Sequence, residues 1–316
     1  MKKYPQLLPC VLLAFSLSAC GGSGVTAPVA AAPVTWQLNA GTSAQQEAFQ
    51  GTQFYPSSIT IDAGDTVQWT FPTGEPHTVA FLGPRSAPPP PTDPSVPAPA
   101  GGATYDGSTY TSSGFVLLGK TYALTFPKAG TYVYYCLLHR GMQGTITVNP
   151  AGTAYPQTQS TINTQGATLA SADLAQAAAA PPQFPYPAGG PHLAAGISFG
   201  LQTGTNVLSS VVRFLDGPTL ASSVTVPVGT SVTWTNLSSN FPHTVTFGVV
   251  GQPFPVLNPF APPSGGTSYD GTALVNSGPL FPGASYTLTF TRAGTYTYHC
   301  IFHDDTENMI GTVVVQ

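Results

Sequence analysis

The chain repeats itself once, in register, over most of its length. Residues 105–107 (YDG) recur as residues 269–271, an offset of 164 positions (269 − 105). Residues 129–136 (AGTYVYYC) recur at the same offset as residues 293–300 (AGTYTYHC). Agreement over so large a unit indicates duplication of a whole domain rather than a short solenoid repeat. The sequence therefore predicts two copies of one fold.

Each copy alternates apolar and polar residues with a period of two, which is typical of β-strands with one buried face. The pattern is clear in residues 67–69 (VQW) and 122–126 (YALTF), and again in residues 232–234 (VTW) and 286–290 (YTLTF). The 34 glycines and 33 prolines cluster between these runs. Short strands separated by such turns predict an all-β chain of two tandem Greek-key β-sandwiches.

The remaining composition divides the chain into five parts. We expect a lipoprotein signal peptide at residues 1–19, a tether at 20–33, the first domain at 34–149, a linker at 150–191 and the second domain at 192–316. The linker is rich in Ala, Gln, Thr and Pro, so we expect it to be mobile or to lie loosely on the surface. Its alanine-rich part has helix-forming residues but no apolar stripe for docking.

Two proline-rich loops follow His77 and His243, at residues 84–102 and 252–266. They cannot lie inside a sheet, because proline lacks the N–H group that a β-ladder needs. The sequence leaves open whether these loops cover a site or extend toward a partner.

The N-terminus has the features of an export signal. Lys2 and Lys3 are followed by a mostly apolar run, residues 7–17, that is too short to span a bilayer. Residues 17–22 (LSACGG) resemble a bacterial lipobox, in which Cys20 would carry the lipid; the alternative is an ordinary cleaved signal with an incidental cysteine. We expect an exported protein, anchored by its lipid to a bacterial membrane and facing the periplasm or the outside.

Charge excludes one class of partner. Charged residues make up 6% of the chain, the formal net charge is −4, and only eight residues are Lys or Arg. No basic surface large enough to hold phosphates can be built from these, so we expect no nucleic-acid partner.

The rare sulfur and imidazole residues are concentrated at two places. Residues 136–142 (CLLHRGM) and 300–309 (CIFHDDTENM) each contain a cysteine, a histidine and a methionine, and residues 76–79 and 242–245 (both PHTV) each add a histidine upstream. Two imidazoles, a thiolate and a weak axial thioether form the donor set of a blue-copper site. The predicted ligands are His77, Cys136, His139 and Met142 in the first domain and His243, Cys300, His303 and Met309 in the second.

Other interpretations of these residues fit less well. Zinc binds Cys and His, but it would leave Met142 and Met309 unexplained because methionine is a poor zinc ligand. Cys136 and Cys300 could form a disulfide in an oxidising compartment, yet each lies in its own His/Met setting. We therefore predict two bound copper ions.

With these motifs, both halves resemble plastocyanin/pseudoazurin-type cupredoxins, and the first loop is most similar to that of amicyanin. The resemblance implies a Greek-key sandwich, a Cu(I)/Cu(II) centre and an electron route through the imidazole edge of each loop histidine, His139 and His303. The chain departs from the family in two respects, and the first is that Thr78 and Thr244 stand where the family often has asparagine. The second metal loop is also longer than the first.

The predicted function is electron transfer by two type 1 copper centres, with cytochromes or other copper proteins as redox partners. One alternative is a copper oxidoreductase of nitrite reductase or laccase type, favoured by His299 beside Cys300. Such an enzyme needs further histidines, and only His192 and His299 remain unassigned, with no His-x-His pair. The other alternative is a copper-binding or storage protein.

The two loops also differ in charge. Arg140 follows the first loop histidine, whereas Asp304, Asp305 and Glu307 follow the second. Since positive charge disfavours Cu(II), we expect the second site to have the lower reduction potential; the alternative is that solvent screens these charges. The low charge elsewhere predicts that partners dock on an apolar ring around a loop histidine.

Overall fold

The structure is a computed structural model. It describes residues 32–139, 141–179, 190–200, 207–216, 221–238 and 241–316. The predicted signal peptide, the lipidation site Cys20 and Arg140 lie outside the described residues, so the expectations that concern them stay predictions.

The described residues of the first half form nine strands. These are β1 Thr35–Ala44, β2 Phe49–Tyr55, β3 Ser58–Asp62, β4 Thr66–Thr70, β5 Ala80–Phe81, β6 Thr111–Ser112, β7 Thr121–Thr125, β8 Gly130–Tyr135 and β9 Gln143–Asn149. The helix α1 Gln159–Ala179 follows. The second half forms β10 His192–Gly200, β11 Val207–Leu215, β12 Ser223–Val226, β13 Ser231–Leu237, β14 Thr246–Phe247, β15 Ser268–Tyr269, β16 Val275–Asn276, β17 Ser285–Phe290, β18 Gly294–His299 and β19 Ile310–Val315.

Each half is a sandwich with its own core, which confirms the predicted tandem β-sandwiches. In the first domain a five-stranded sheet of order β3-β9-β8-β5-β6 faces β1, β2, β4 and β7; in the second, β12-β19-β18-β14-β16 faces β10, β11, β13, β15 and β17. The cores correspond, since Trp69 and Tyr134 pack with ring centroids 5.2 Å apart, as do Trp234 and Tyr298.

The strand before each metal loop shows how the alternation positions a ligand. In β8, Tyr132 and Tyr134 point into the core while Thr131 and Val133 face outward. Cys136 continues the inward face one position beyond the strand and is buried, because side chains two residues apart share a face. The same pattern in β18 directs Cys300 inward.

The two sandwiches share one sheet, which the repeat itself does not predict. Strand β11 of the second domain pairs antiparallel with β2 of the first, with Ser209 opposite Gly51 and Val211 opposite Phe49. The result is a nine-stranded sheet of order β15-β17-β13-β10-β11-β2-β1-β4-β7. Pairing covers the edges that two separate sandwiches would leave open, and it fixes the domains relative to one another.

The segment predicted as a loose linker contains a docked helix, so the expectation that it is mobile or lies loosely on the surface is wrong for residues 159–179. Helix α1 packs on β1, β2 and β11. Its buried Asp173 accepts hydrogen bonds from the Tyr55 hydroxyl and the Gln53 amide, both at 2.6 Å. Gly166 lets the helix approach the backbone of Tyr55. The helix also buries Ile162 and Ala177, so the contact combines a few separate apolar residues with a glycine and a buried carboxylate, which a search for an apolar stripe does not detect.

Among the residues that the structure describes, no helix has the length and apolar character needed to cross a bilayer.

Candidate metal centres

The first candidate site lies at one end of the first sandwich. His77 lies between β4 and β5, where its backbone pairs with that of Val116. Cys136 directly follows β8, and His139 lies in the loop that leads to β9. The Cys136 Sγ is 3.8 Å from Nδ1 of His77 and 3.3 Å from Nδ1 of His139, and the two Nδ1 atoms are 2.9 Å apart. Three donors from two segments of the chain thus converge on one point.

The second site repeats this arrangement. The Cys300 Sγ is 3.6 Å from Nδ1 of His243 and 3.2 Å from Nδ1 of His303, and the two Nδ1 atoms are 3.2 Å apart. All three residues are buried, as in the first site. These two groups are the clusters of potential metal ligands found among the described residues.

The methionines have equivalent positions in spite of the different loop lengths. The Cys136 N–H donates to the carbonyl of Met142 at 2.9 Å, and the Cys300 N–H donates to the carbonyl of Met309 at 3.0 Å. Both methionines are buried. In the longer loop Asn308 takes a left-handed conformation, φ 54°, just before Met309. The shared hydrogen bond places both side chains at the start of the next strand, where the sequence predicts an axial ligand.

Threonine braces each loop in the place where the resembled family often has asparagine. The Thr78 hydroxyl accepts a hydrogen bond from the Leu137 N–H at 2.7 Å, and the Thr244 hydroxyl accepts one from the Ile301 N–H at 2.8 Å. The N–H groups of the same threonines point at the cysteine sulfurs, at 3.4 Å and 3.3 Å. A hydrogen bond to the sulfur orients a ligand and tunes the metal it holds.

Two glycines that sequence reasoning missed pack against the upstream histidines. A Cβ on Gly41 would overlap Nε2 of His77, and a Cβ on Gly196 would overlap Nε2 of His243. Both glycines also have positive φ, +82° and +70°, which favours glycine. A signal for these glycines was present in the sequence, because each interrupts a strand, β1 or β10, at an equivalent place in the two copies.

The charges at the first site favour a metal-binding thiolate. Burial raises the pKa of the Cys136 thiol, but the neighbouring His139 and His77 more than offset it, and the pKa lies well below its ordinary value. Burial lowers the pKa of His139, while Cys136 and Glu75 raise it to about 9. Burial and the charge of His139 lower the pKa of His77. A thiolate with two imidazoles and a nearby thioether is the donor set that suits copper.

Glu75 is the main residue that sequence reasoning missed. Its Oε1 lies 3.1 Å from Nε2 of His139, and its Oε2 lies 2.9 Å from Nε2 of His303 in the other domain. His139 and His303 are 1% and 2% exposed. Both loop histidines are therefore covered where the domains meet, with Nε2 of each at Glu75. Docking of a partner on an apolar ring around a loop histidine stays a prediction.

A signal for Glu75 was present in the duplicated register. Glu75 precedes Pro-His in the first copy, and Phe241 holds the same position in the second. The Phe241 ring packs on His139 across the interface, with centroids 4.9 Å apart, and on His303 of its own domain at 5.9 Å. The two copies thus use one position for complementary purposes, an acid in one domain and an aromatic ring in the other.

A cavity of about 840 Å³ adjoins both sites. Its wall includes His139 and His303 together with prolines and aromatic residues from both proline-rich loops, among them Pro88, Pro89 and Phe260. The question that the sequence left open is therefore answered: these loops border the space beside the metal groups.

The two remaining histidines lie outside both metal groups. His299 stacks on Phe254, with centroids 3.9 Å apart, and its Nδ1 lies 3.3 Å from a carboxylate oxygen of Asp304. His192 begins β10 opposite Thr233. Neither forms a further ligand cluster among the described residues.

Comparison with known proteins assigns the family. The model of the family described as copper binding proteins, plastocyanin/azurin family, matches residues 41–149 and again residues 220–316. The chain belongs to this family. Its cofactor is copper, and each of the two His/Cys/His groups can bind one ion.

Individual relatives match one domain's length. Plastocyanin from Scenedesmus fuscus is 37% identical over 97 residues, which is 30% of this chain and 85% of the relative. Plastocyanin A/B from Petroselinum crispum is 32% identical over 101 residues, 31% of this chain and 90% of the relative. The crystal structure of amicyanin from Paracoccus versutus is 23% identical, with a TM-score of 0.24, and the match covers 39% of this chain and 86% of that one.

Proposed function

We propose that the protein is an extracytoplasmic electron carrier with two type 1 copper centres, one in each domain, that cycle between Cu(I) and Cu(II). The ligands would be His77, Cys136, His139 and Met142 in the first centre and His243, Cys300, His303 and Met309 in the second. The observation that carries the proposal is the repeated geometry: a buried thiol and two Nδ1 atoms converge twice, each time with a methionine held in the same backbone register.

The architecture suits electron transfer because the protein itself holds the donors in place. Each cysteine is fixed by the sheet, each upstream histidine by a backbone bridge, and each loop by a threonine hydroxyl. Rigid, buried donors limit the rearrangement that accompanies a change in copper charge. The plastocyanins that match support a carrier rather than an enzyme with its own substrate.

The partners would be redox proteins such as cytochromes or other copper proteins, and the lipid on Cys20 would hold the chain at a bacterial membrane. Since both loop histidines are buried, contact with a partner would use other surface near the centres. The cavity beside His139 and His303, with its apolar wall, supports such a route.

Metal analysis with a visible spectrum of the purified soluble part tests the proposal. We expect two copper ions per chain and an intense absorption band near 600 nm, a value taken from the resembled family, that bleaches reversibly on reduction. Absence of that band from copper-loaded protein would contradict type 1 centres. A third copper with turnover of nitrite or phenols would favour the oxidoreductase instead.

A further inference from the structure

A single carboxylate touches both candidate metal centres. The Nδ1 of each loop histidine faces its own cysteine, so Nε2 is the outer atom of the ring, and the two Nε2 atoms meet the two oxygens of Glu75. When Nδ1 binds a metal, the proton of a neutral imidazole resides on Nε2, which then donates to the carboxylate. Glu75 therefore accepts one hydrogen bond from each centre.

The upstream histidines offer a contrast within the same sites. Nε2 of His77 and Nε2 of His243 are buried against glycines and have no hydrogen-bond partner among the described residues. The connection to the other centre is thus confined to the loop histidines.

Glu75 is also well suited to remain in place. It is 5% exposed, and a buried carboxylate is costly unless its oxygens are paired. Burial raises its pKa, but His303 and His139 more than offset this effect and hold the pKa well below the ordinary value. Oε1 meets His139 of its own domain, whereas Oε2 meets His303 only when the two domains are assembled through their common sheet.

We propose that Glu75 is the bridge through which the two copper centres exchange electrons within one molecule. The inference rests on the proposed function, since it requires a copper ion in each domain. In one exchange a single electron passes from the reduced centre to the oxidised one: Cu(I) becomes Cu(II) on one side, and Cu(II) becomes Cu(I) on the other. No bond forms or breaks, and both Nε2 protons stay in place. An external one-electron donor protein supplies the electron.

The bridge changes the role of the imidazole edge. The resemblance implies that this edge leads to a partner protein, whereas here each edge leads to the other centre. The protein would therefore hold two electrons in a connected pair of sites instead of two independent carriers.

The test uses the full copper-loaded chain carrying Met142→Leu. Because the axial ligand tunes the reduction potential, this change separates the reduction potentials of the two centres. Cys136→Ser and Cys300→Ser versions supply the spectrum of each centre alone. After a pulse that reduces a small fraction of the copper, we expect a first-order redistribution between centres whose rate is independent of protein concentration. With Glu75→Ala we expect this phase to slow by about tenfold or more, which corresponds to roughly 1.4 kcal/mol in activation free energy.

Two controls separate the bridge from mere packing. Glu307→Gln changes another buried carboxylate at the interface, whose oxygens make no hydrogen bond to either loop histidine, and it should slow the exchange far less than Glu75→Ala does. The second control, Phe241→Leu, alters the ring that packs on both loop histidines. It changes the packing and keeps Glu75, so it too should slow the exchange far less than Glu75→Ala does. An unchanged rate in Glu75→Ala, or an equal loss in Glu307→Gln, would overturn the bridge while leaving two copper centres standing.

A second measurement needs no electron transfer. In the diamagnetic Cu(I) protein, ¹⁵N-resolved NMR should show slowly exchanging Nε2 protons on His139 and His303. Glu75→Ala should abolish that protection on both rings, and Glu75→Gln should retain it on one at most, because the amide has one acceptor oxygen. Rapid exchange on either ring of the unmodified protein would remove the hydrogen-bonded route. If the unmodified protein shows no type 1 band at all, the proposed function fails, and the bridge with it.

Discussion

The two metal loops build the same site from different lengths of chain. Cysteine and methionine are six positions apart in the first loop (142 − 136) and nine in the second (309 − 300). The cysteine N–H bonds the methionine carbonyl in both. Two residues of the longer loop lie instead at the interface, where a Cβ on Gly74 would overlap the side chains of Thr306 and Glu307. The comparison teaches that the donor register is kept locally, while the insertion serves the contact between domains.

The largest expected effect comes from removing one thiolate at a time. Cys136→Ser and Cys300→Ser should each lose one copper and the corresponding share of the visible band, because serine is a much weaker ligand for copper than a thiolate. The other domain should keep its copper. Metal analysis and the visible spectrum measure this, and loss of both ions in either variant would show that the two sites do not fill independently.

The glycines next to the upstream histidines test whether both sites are equally tight. In Gly41→Ala and Gly196→Ala we expect a loss of about 1 kcal/mol from the positive φ and about 1–3 kcal/mol more from overpacking. Gly119 and Gly283 also have positive φ, but nothing lies near an added Cβ. Gly119→Ala and Gly283→Ala therefore give the backbone cost alone. The free energy of unfolding of each variant is measured by denaturant unfolding of the metal-free protein. Equal losses at all four glycines would contradict the close approach to the histidines.

The bracing threonines offer a subtler comparison. Thr78→Val and Thr244→Val leave the Leu137 and Ile301 N–H groups without their acceptor, at a cost of about 1–3 kcal/mol each. Thr244 also accepts from the Thr246 hydroxyl at 3.3 Å, so the second domain should lose slightly more. Unfolding free energies measure both losses. The Thr→Ser variants retain the hydroxyl and should stay near the parent; a loss as large as that of valine would point to the methyl group instead.

A smaller loss of unfolding free energy is expected where helix α1 contacts Tyr55 of the first domain. Tyr55→Phe removes one of the two donors to Asp173, and we expect a loss of about 1 kcal/mol in unfolding free energy. A double-mutant cycle with Asp173→Asn isolates the pair. A coupling energy of zero would mean that the helix is held by its other contacts.

The smallest expected difference is in reduction potential. Asp304 already has a partner in His299, and Glu75 contacts the loop histidines of both centres. The charge of Glu75 therefore shifts both reduction potentials in the same direction, and only a small difference between the two centres remains. We still expect the second centre to have the lower potential. Because the domains share a sheet, voltammetry of the full-length variants Cys136→Ser and Cys300→Ser is preferable to voltammetry of isolated domains. Equal reduction potentials in the two variants would contradict this prediction.

Much of each site was predictable because it is local. The cysteine, the loop histidine and the methionine lie on one strand-loop-strand unit, and the period of two directs Tyr134 and Cys136 to the same face. The PHTV motif added the upstream histidine through the repeat. The geometry places all of these residues as expected, while their role as ligands stays a prediction.

The sequence alone thus determined two β-sandwiches, each with a copper donor set at one end, since strand periodicity and short-range spacing decide both. Only the tertiary structure decided how the halves meet: β2 pairs with β11, helix α1 docks through Asp173, and Glu75 lies between His139 and His303. These contacts join residues far apart in the chain, up to 228 positions. No periodicity links such residues, so their meeting depends on the burial and pairing of whole surfaces.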